Sequence, residues 1–382
     1  MNKEQNYLIK LITNSITQQQ TDLPQPPFNW QYFCNYATEQ QYEQLLYPLF
    51  KDLRPDVITD EALHKMHQRY GQAIVRDSKQ DMALFELSAM LNEAQIPHIP
   101  LKGSIIKHYY PKPELRRSGD LDILVHREDI EKAAAIIEGL GYTRETEDQH
   151  MHDSFTRKNI HIELHRDLTS SDNTSHEWCS TVWEYAYPET EYEYRMEPEF
   201  LYVYLMVHLK HHLIGMGGGG IKLIADFAVL DEKLELDKKK LAKHLQEARA
   251  INFSVYINAL VGKWFRGESV TDENVLLLED MLLNSGAYGN YDQYIDMKLA
   301  NDISEKSTGK IKNMIRLIFP SCEFMAKTNP ILRKMPFLLP YFWVKRLLFS
   351  KKEHRKSLVN SMAGYDEEKA KKLKNFSDSI QR

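Results

Sequence analysis

Cysteine is scarce: Cys34, Cys179 and Cys322 are the only three in 382 residues, odd in number, widely scattered and without C-x-x-C spacing. That excludes a disulfide scaffold and a cysteine-based zinc module, and reduced thiols in a cytoplasmic protein are the expectation. Positive charge is not in excess. Lys and Arg number 49 against 54 Asp and Glu, a net charge of -5, so duplex nucleic acid meets no global attraction and would need a local basic face. Long apolar runs are also missing. Met335 to Val344 carries two prolines and is about ten residues long, where a membrane span takes about 20. The opening Met-Asn-Lys-Glu-Gln builds no apolar signal segment, so export is not expected.

What is present is a chain of 42% hydrophobic and 27% charged residues, long enough for two or three packed units. Residues 1–96 read as helical, with apolar residues at helical spacing in Leu8, Leu11, Ile12 and again in Leu45, Leu46, Leu49. A long helix is expected from Asp60, as N-cap, to the stop at Pro97. Residues 97–195 change to short apolar runs alternating with one-sided helices, the pattern of a small mixed sheet. Strands are expected at His98–Leu101, Leu121–Val125, Ser154–Arg157 and Ile160–His165, with helices at Ser104–Tyr110 and Glu128–Leu140, the latter ended by Gly141. Helical spacing returns over 196–308, and 309–382 forms a basic, aromatic-rich helical tail.

Asp120 and Asp122 stand two residues apart at the second of these strands, so both leave one face while Leu121 and Ile123 leave the other. Two carboxylates on one face suit a hard divalent cation. Alone they could simply open a strand at a turn, since Gly119 and Asp120 are turn-prone. Upstream, Gly103 and Ser104 lie between a strand and a helix, where backbone can approach a phosphate and helix N–H groups favour anions; a plain N-cap has the same form. Downstream, His161-Ile-Glu-Leu-His165 puts Glu163 in an apolar alternation, as a third site carboxylate or as a salt-bridge partner of Arg116 or Arg117.

The run Leu101-Lys-Gly-Ser104, Tyr110-Pro, Arg116 and Asp120-Leu-Asp-Ile-Leu-Val125 resembles the DNA-polymerase-beta-like nucleotidyltransferase superfamily, and within it a bacterial branch of largely uncharacterised nucleotidyltransferases. The resemblance implies an α+β fold, a small mixed-sheet nucleotidyltransferase core flanked by N-terminal and C-terminal helical regions, with 196–308 completing the substrate cleft. It makes Gly103 and Ser104 the phosphate-gripping turn and Asp120 and Asp122 the pair that holds two Mg2+ ions, with Mn2+ as the alternative. Glu163 falls where the superfamily usually has Asp. As the third ligand it would help deprotonate the acceptor. Lys102 and Arg116 are the nearest cations for the phosphates, Arg116 matching a family position. The implied reaction moves an NMP group, AMP among the candidates, from a nucleoside triphosphate to an unknown small-molecule or protein hydroxyl, with release of pyrophosphate. The alternative is a catalytically degenerate nucleotide-binding or membrane-associated assembly protein.

Other features carry weaker readings. Gly215 to Gly220 formally satisfies G-x-G-x-x-G but follows a predicted helix, so a helix-to-helix turn is expected rather than a dinucleotide site. His208 and His212 share a helical face without the further ligands a zinc site needs. Lys222 and Asp226 read as outward charges of an amphipathic helix, with substrate contact as the alternative. Residues 310–356 concentrate Lys and Arg among aromatics, which suits peripheral contact with an anionic membrane, at its inner face, or with a polyanion; no dedicated nucleic-acid module is present.

Overall fold

The apolar spacing of the N-terminal region folds into α1 (Lys3–Ile16), α2 (Trp30–Glu39), α3 (Leu46–Asp52) and α4 (Asp60–Glu93) in a computed structural model that describes residues 1–145, 152–301, 319, 321–322, 325–326, 329–349 and 366–381. Asn2 and Gln5 close a reciprocal capping box on α1. At α4 the cap is Thr59, whose hydroxyl accepts the Ala62 amide at 3.2 Å, and Asp60 is the first helical residue instead of the cap. There its carboxylate complements the positive end of the helix dipole.

The mixed region forms β1 (His98–Leu101), α5 (Gly103–Ile106), β2 (Leu121–Val125), α6 (Ile130–Gly139), β3 (Thr143–Arg144), β4 (His152–Arg157) and β5 (Ile160–His165). In place of the single helix expected over Ser104–Tyr110, one α turn passes into a 3-10 turn at Lys107–Tyr109. The sheet order is β1-β2-β5-β4-β3; β2 and β5 run parallel and the other neighbours antiparallel. Leu121, Ile123, Val125, Phe155, Ile162 and Leu164 form one face, packed with α6 residues and Leu87 and Leu91 of α4. Alternation sends Asp122 and Glu163 to the other face. The fold is α+β, with this small sheet flanked by helices.

After α7 (His176–Cys179), β6 (Ala186–Pro188) and β7 (Tyr194–Met196) pair as a short hairpin, and α8 (Pro198–Gly215) then enters the core. α8 is apolar nearly all round and correspondingly buried, from Phe200 to Leu213. It is followed by α9 (Lys222–Lys233), α10 (Lys238–Glu247), α11 (Ile251–Phe265), α12 (Glu273–Asn284), α13 (Tyr291–Asn301), α14 (Leu339–Phe349) and α15 (Glu367–Ile380). One hydrophobic core joins residues of α1 to α3, Ile99 and Leu101 of β1, Leu124 of β2, helices α8, α9, α11 and α12, and Phe376 of α15.

The Gly-rich segment is a helix-to-helix turn. A Cβ on Gly217, at φ +72°, would come within 2.3 Å of the Asn290 carbonyl and the Tyr294 amide, so close packing against α13 demands glycine there. The basic segment 310–356 lies in part outside the described residues; within it Phe337 and Tyr341 are exposed. No helix among the described residues is long and apolar enough to cross a membrane.

Candidate active site

Three strands and one turn converge on the polar face of the sheet. Asp122 and Glu163 are register partners across the parallel β2 and β5, and His165 follows Glu163 by two residues on the same face. Across β4, His152 is the register partner of His165. Lys102 sits at the turn between β1 and α5 with φ +52°, a left-handed conformation rare for a side-chain-bearing residue and common at functional turns. A Cβ on Gly103 next to it would lie 2.6 Å from both Arg116 Nη1 and Ser118 Oγ, so any other residue would displace those side chains.

Asp122 is the centre of this group. Its Oδ1 accepts from Lys102 Nζ at 2.6 Å and lies 2.9 Å from His165 Nε2. Burial alone would raise its pKa, but the Lys102 ammonium and the His165 imidazole override that and hold the carboxyl well below the usual range. Lys102 itself is pulled down by burial and pushed up further by Asp122, Tyr204 and Glu163, so it stays charged. Asp120 immediately precedes β2 and is exposed. Its carboxyl is pushed up by desolvation and by the neighbouring Glu163 and Asp122 carboxylates. Glu163 lies between two rings, with Oε2 3.3 Å from His165 Nε2 and Oε1 3.5 Å from His152 Nε2.

Helix α8 closes the other side. The buried Tyr204 hydroxyl has no hydrogen-bond partner among the described residues, and it feels the charges of Lys102 and Asp122. His208 and His212 are paired to each other through Nε2 atoms 3.1 Å apart. Burial, with the neighbouring His211 ring and Lys102 ammonium, pulls His212 down to about 4, so it is neutral at pH 7.

The structure thus brings Asp120, Asp122, Glu163, Lys102 and Gly103 to one place. Two expected phosphate contacts are used otherwise. Arg116 gives its guanidinium to Asp226, Nη2 to Oδ2 at 2.8 Å and Nε to Oδ1 at 3.1 Å, with the Tyr110 hydroxyl completing the same carboxylate at 2.8 Å. An arginine so committed is a brace beneath the Gly103 turn, not a free cation for phosphate. Ser104 is buried and its hydroxyl donates to the Leu101 carbonyl at 2.8 Å, which fixes the turn from inside. Neither charge on α9 points outward as expected. Asp226 is 1% exposed, and Lys222 donates to Gln41 Oε1 at 3.0 Å with its ammonium over the Tyr288 ring. Burial and the Arg116 charge pull Lys222 down to about 7.

Sequence reasoning missed His165 and His152. The first had a signal: in His161-x-Glu163-x-His165 the strand period puts both histidines on the face of Glu163. The second had none, because it reaches the site only through the β4 to β5 pairing.

A divalent cation fits this donor set. Asp120, Glu163 and Oδ2 of Asp122 offer carboxylate oxygens, and His152, Glu163 and His165 present ligand atoms all within 4.8 Å of one another. The buried Nδ1 of His152 has no hydrogen-bond partner among the described residues. No curated protein and no solved structure matches the chain. The family described as "Uncharacterised nucleotidyltransferase" matches residues 26–266, well over half of the chain and all of this site, and the protein belongs to that family of nucleotidyltransferases.

Proposed function

We propose that the protein transfers an NMP group, AMP being the first to test, from a nucleoside triphosphate to a hydroxyl of a small molecule or protein, with divalent metal ions as cofactors. The observation that carries the reading is the pairing of Asp122 with Glu163 across parallel strands, with the Asp120 carboxyl close enough to be raised by both charges. Asp120, Asp122 and Glu163 would hold the cations, which supply charge neutralisation at the phosphates and at the attacking and leaving oxygens.

The chain's own groups have distinct tasks. The Gly103 turn, kept free of a Cβ, lets backbone approach the triphosphate, and Lys102 offsets its negative charge. The acceptor oxygen bonds to the α-phosphorus, the bond from that phosphorus to the β-phosphate oxygen breaks, and pyrophosphate leaves with the bonding pair. Glu163 takes the acceptor proton, and His165, within 3.3 Å of its Oε2, steadies the carboxylate.

One observation favours a second reading, nucleotide binding without turnover: Lys102 Nζ already occupies Asp122 Oδ1. Incubating the full chain with each nucleoside triphosphate, Mg2+ or Mn2+ and candidate acceptors separates the two. The transfer reading requires pyrophosphate release and label in the acceptor, both lost in Asp122→Asn. Binding of nucleotide with no release, unchanged by Glu163→Gln, would establish the second reading.

A further inference from the structure

We propose that His152, Glu163 and His165 form a mixed nitrogen and oxygen metal site, so that the cation beside Glu163 is bound by imidazole and the protein prefers first-row transition cations to Mg2+. The inference rests on the nucleotidyl-transfer reading for what the ion does there; the site itself follows from the geometry.

The three side chains come from two neighbouring strands. His152 on β4 pairs in register with His165 on β5, and Glu163 is one same-face step along β5. Their ligand atoms lie within 4.8 Å of one another, whereas donors each about 2 Å from one ion sit roughly 3 to 4 Å apart. Small side-chain rotations close that difference.

The pairwise distances argue against a simple hydrogen-bonded cluster. Glu163 lies 3.3 Å from one ring nitrogen and 3.5 Å from the other, longer than the roughly 2.7 to 2.9 Å of a charge-assisted hydrogen bond. The rings are not stacked either, their centroids being 4.9 Å apart at 46°. Among the described residues His152 Nδ1 is buried with no hydrogen-bond partner, a cost that a well-satisfied structural cluster avoids. The groups surround a common point without bonding closely to each other, as a ligand set does. Asp122 meets the same Nε2 at 2.9 Å, so on ion binding it joins the ligand set; a carboxylate orienting the ring from behind would have to hold the other nitrogen.

The consequence is selectivity. Mg2+ prefers an oxygen shell and keeps much of its water, whereas imidazole suits the later divalent cations of the first transition row. Asp120 and Asp122, with oxygen donors alone, suit Mg2+ or Mn2+ equally.

The test uses the full chain and Mn2+ as a paramagnetic probe, read by pulsed electron paramagnetic resonance without any turnover. The expected result is nitrogen-14 coupling characteristic of directly bound imidazole in the unaltered protein. It should be lost or halved in His152→Asn and in His165→Asn, with Mn2+ affinity falling about tenfold or more. Zn2+ should displace the Mn2+ far more readily than Mg2+ does. Mn2+ bound with no imidazole coupling, or bound equally well by both histidine variants but not by Asp122→Asn, overturns the proposal and leaves the carboxylate-only transfer reading intact. No Mn2+ binding in the presence or absence of nucleotide overturns both. Because the first spectrum needs no substitution, a variant that fails to fold leaves the answer unaffected.

Discussion

Two buried charge clusters lie near the Gly103 turn, and their charged groups are bonded to different degrees. At Arg116 and Asp226 the guanidinium bonds both carboxylate oxygens and the Tyr110 hydroxyl adds a third donor, with the buried Tyr42 hydroxyl nearby left without a partner among the described residues. Around Asp122, one oxygen carries both Lys102 and His165, Glu163 comes no nearer than 3.3 Å to either ring, and Tyr204 and His152 keep buried polar atoms without partners among the described residues. The same residue types thus serve two purposes. A saturated network holds the fold, whereas an unsaturated one retains donors for something that arrives later.

Breaking the saturated cluster should have the largest effect on stability. Arg116→Ala strands the buried Asp226 carboxylate and should cost about 3 to 5 kcal/mol in denaturant unfolding, with activity falling only as the folded fraction does. If unfolding is unchanged while nucleotide affinity drops, Arg116 is a phosphate ligand after all and the contrast fails. Glu163→Gln should invert the pattern. Transfer should fall about 100-fold or more while the melting temperature moves little, since the glutamate is partly exposed and weakly bonded.

The acid limb of stability sharpens the comparison further. Asp122 has its pKa lowered on folding, so the stability it contributes is present above its unfolded value near 3.8 and is lost as pH falls below that toward the folded value. In Asp122→Asn this part of the acid dependence should flatten in unfolding curves recorded from pH 5 to pH 2. The smallest effect belongs to Asp120, whose pKa is raised. A raised carboxyl penalises folding once it ionises, so Asp120→Asn should melt slightly higher than the unaltered protein at neutral pH. That gain should shrink as pH falls through the raised folded value and vanish only well below the unfolded value near 3.8, where the group is protonated in both folded and unfolded chains. A lower melting temperature at pH 7 would mean that Asp120 is held by contacts of its own.

The site was legible where local period decided it. Strand alternation alone placed Asp122 and Glu163 on one face, and β1, β2 and β5 fall where their apolar residues put them. It failed where a distant partner decided the outcome. Asp226 reads as an outward helix charge until Arg116, from a loop more than one hundred positions earlier, folds under it. Arg116 in turn reads as a free loop cation for the same reason. Ser104 has the form of a phosphate-facing N-cap, but a one-turn helix leaves its hydroxyl closer to the Leu101 carbonyl. β3, β6 and β7, at two or three residues each, are too short for any alternation to register.

The most direct test of the carboxylate site is anomalous diffraction at the manganese edge from crystals grown with Mn2+ and a nucleoside triphosphate that cannot be cleaved between its α- and β-phosphates. The account predicts manganese density bounded by Asp120, Asp122 and Glu163, with the triphosphate against the Gly103 turn and Lys102 drawn off Asp122. Nucleotide bound elsewhere, or bound at that turn with no metal among the three carboxylates and the Lys102 to Asp122 contact intact, would contradict it.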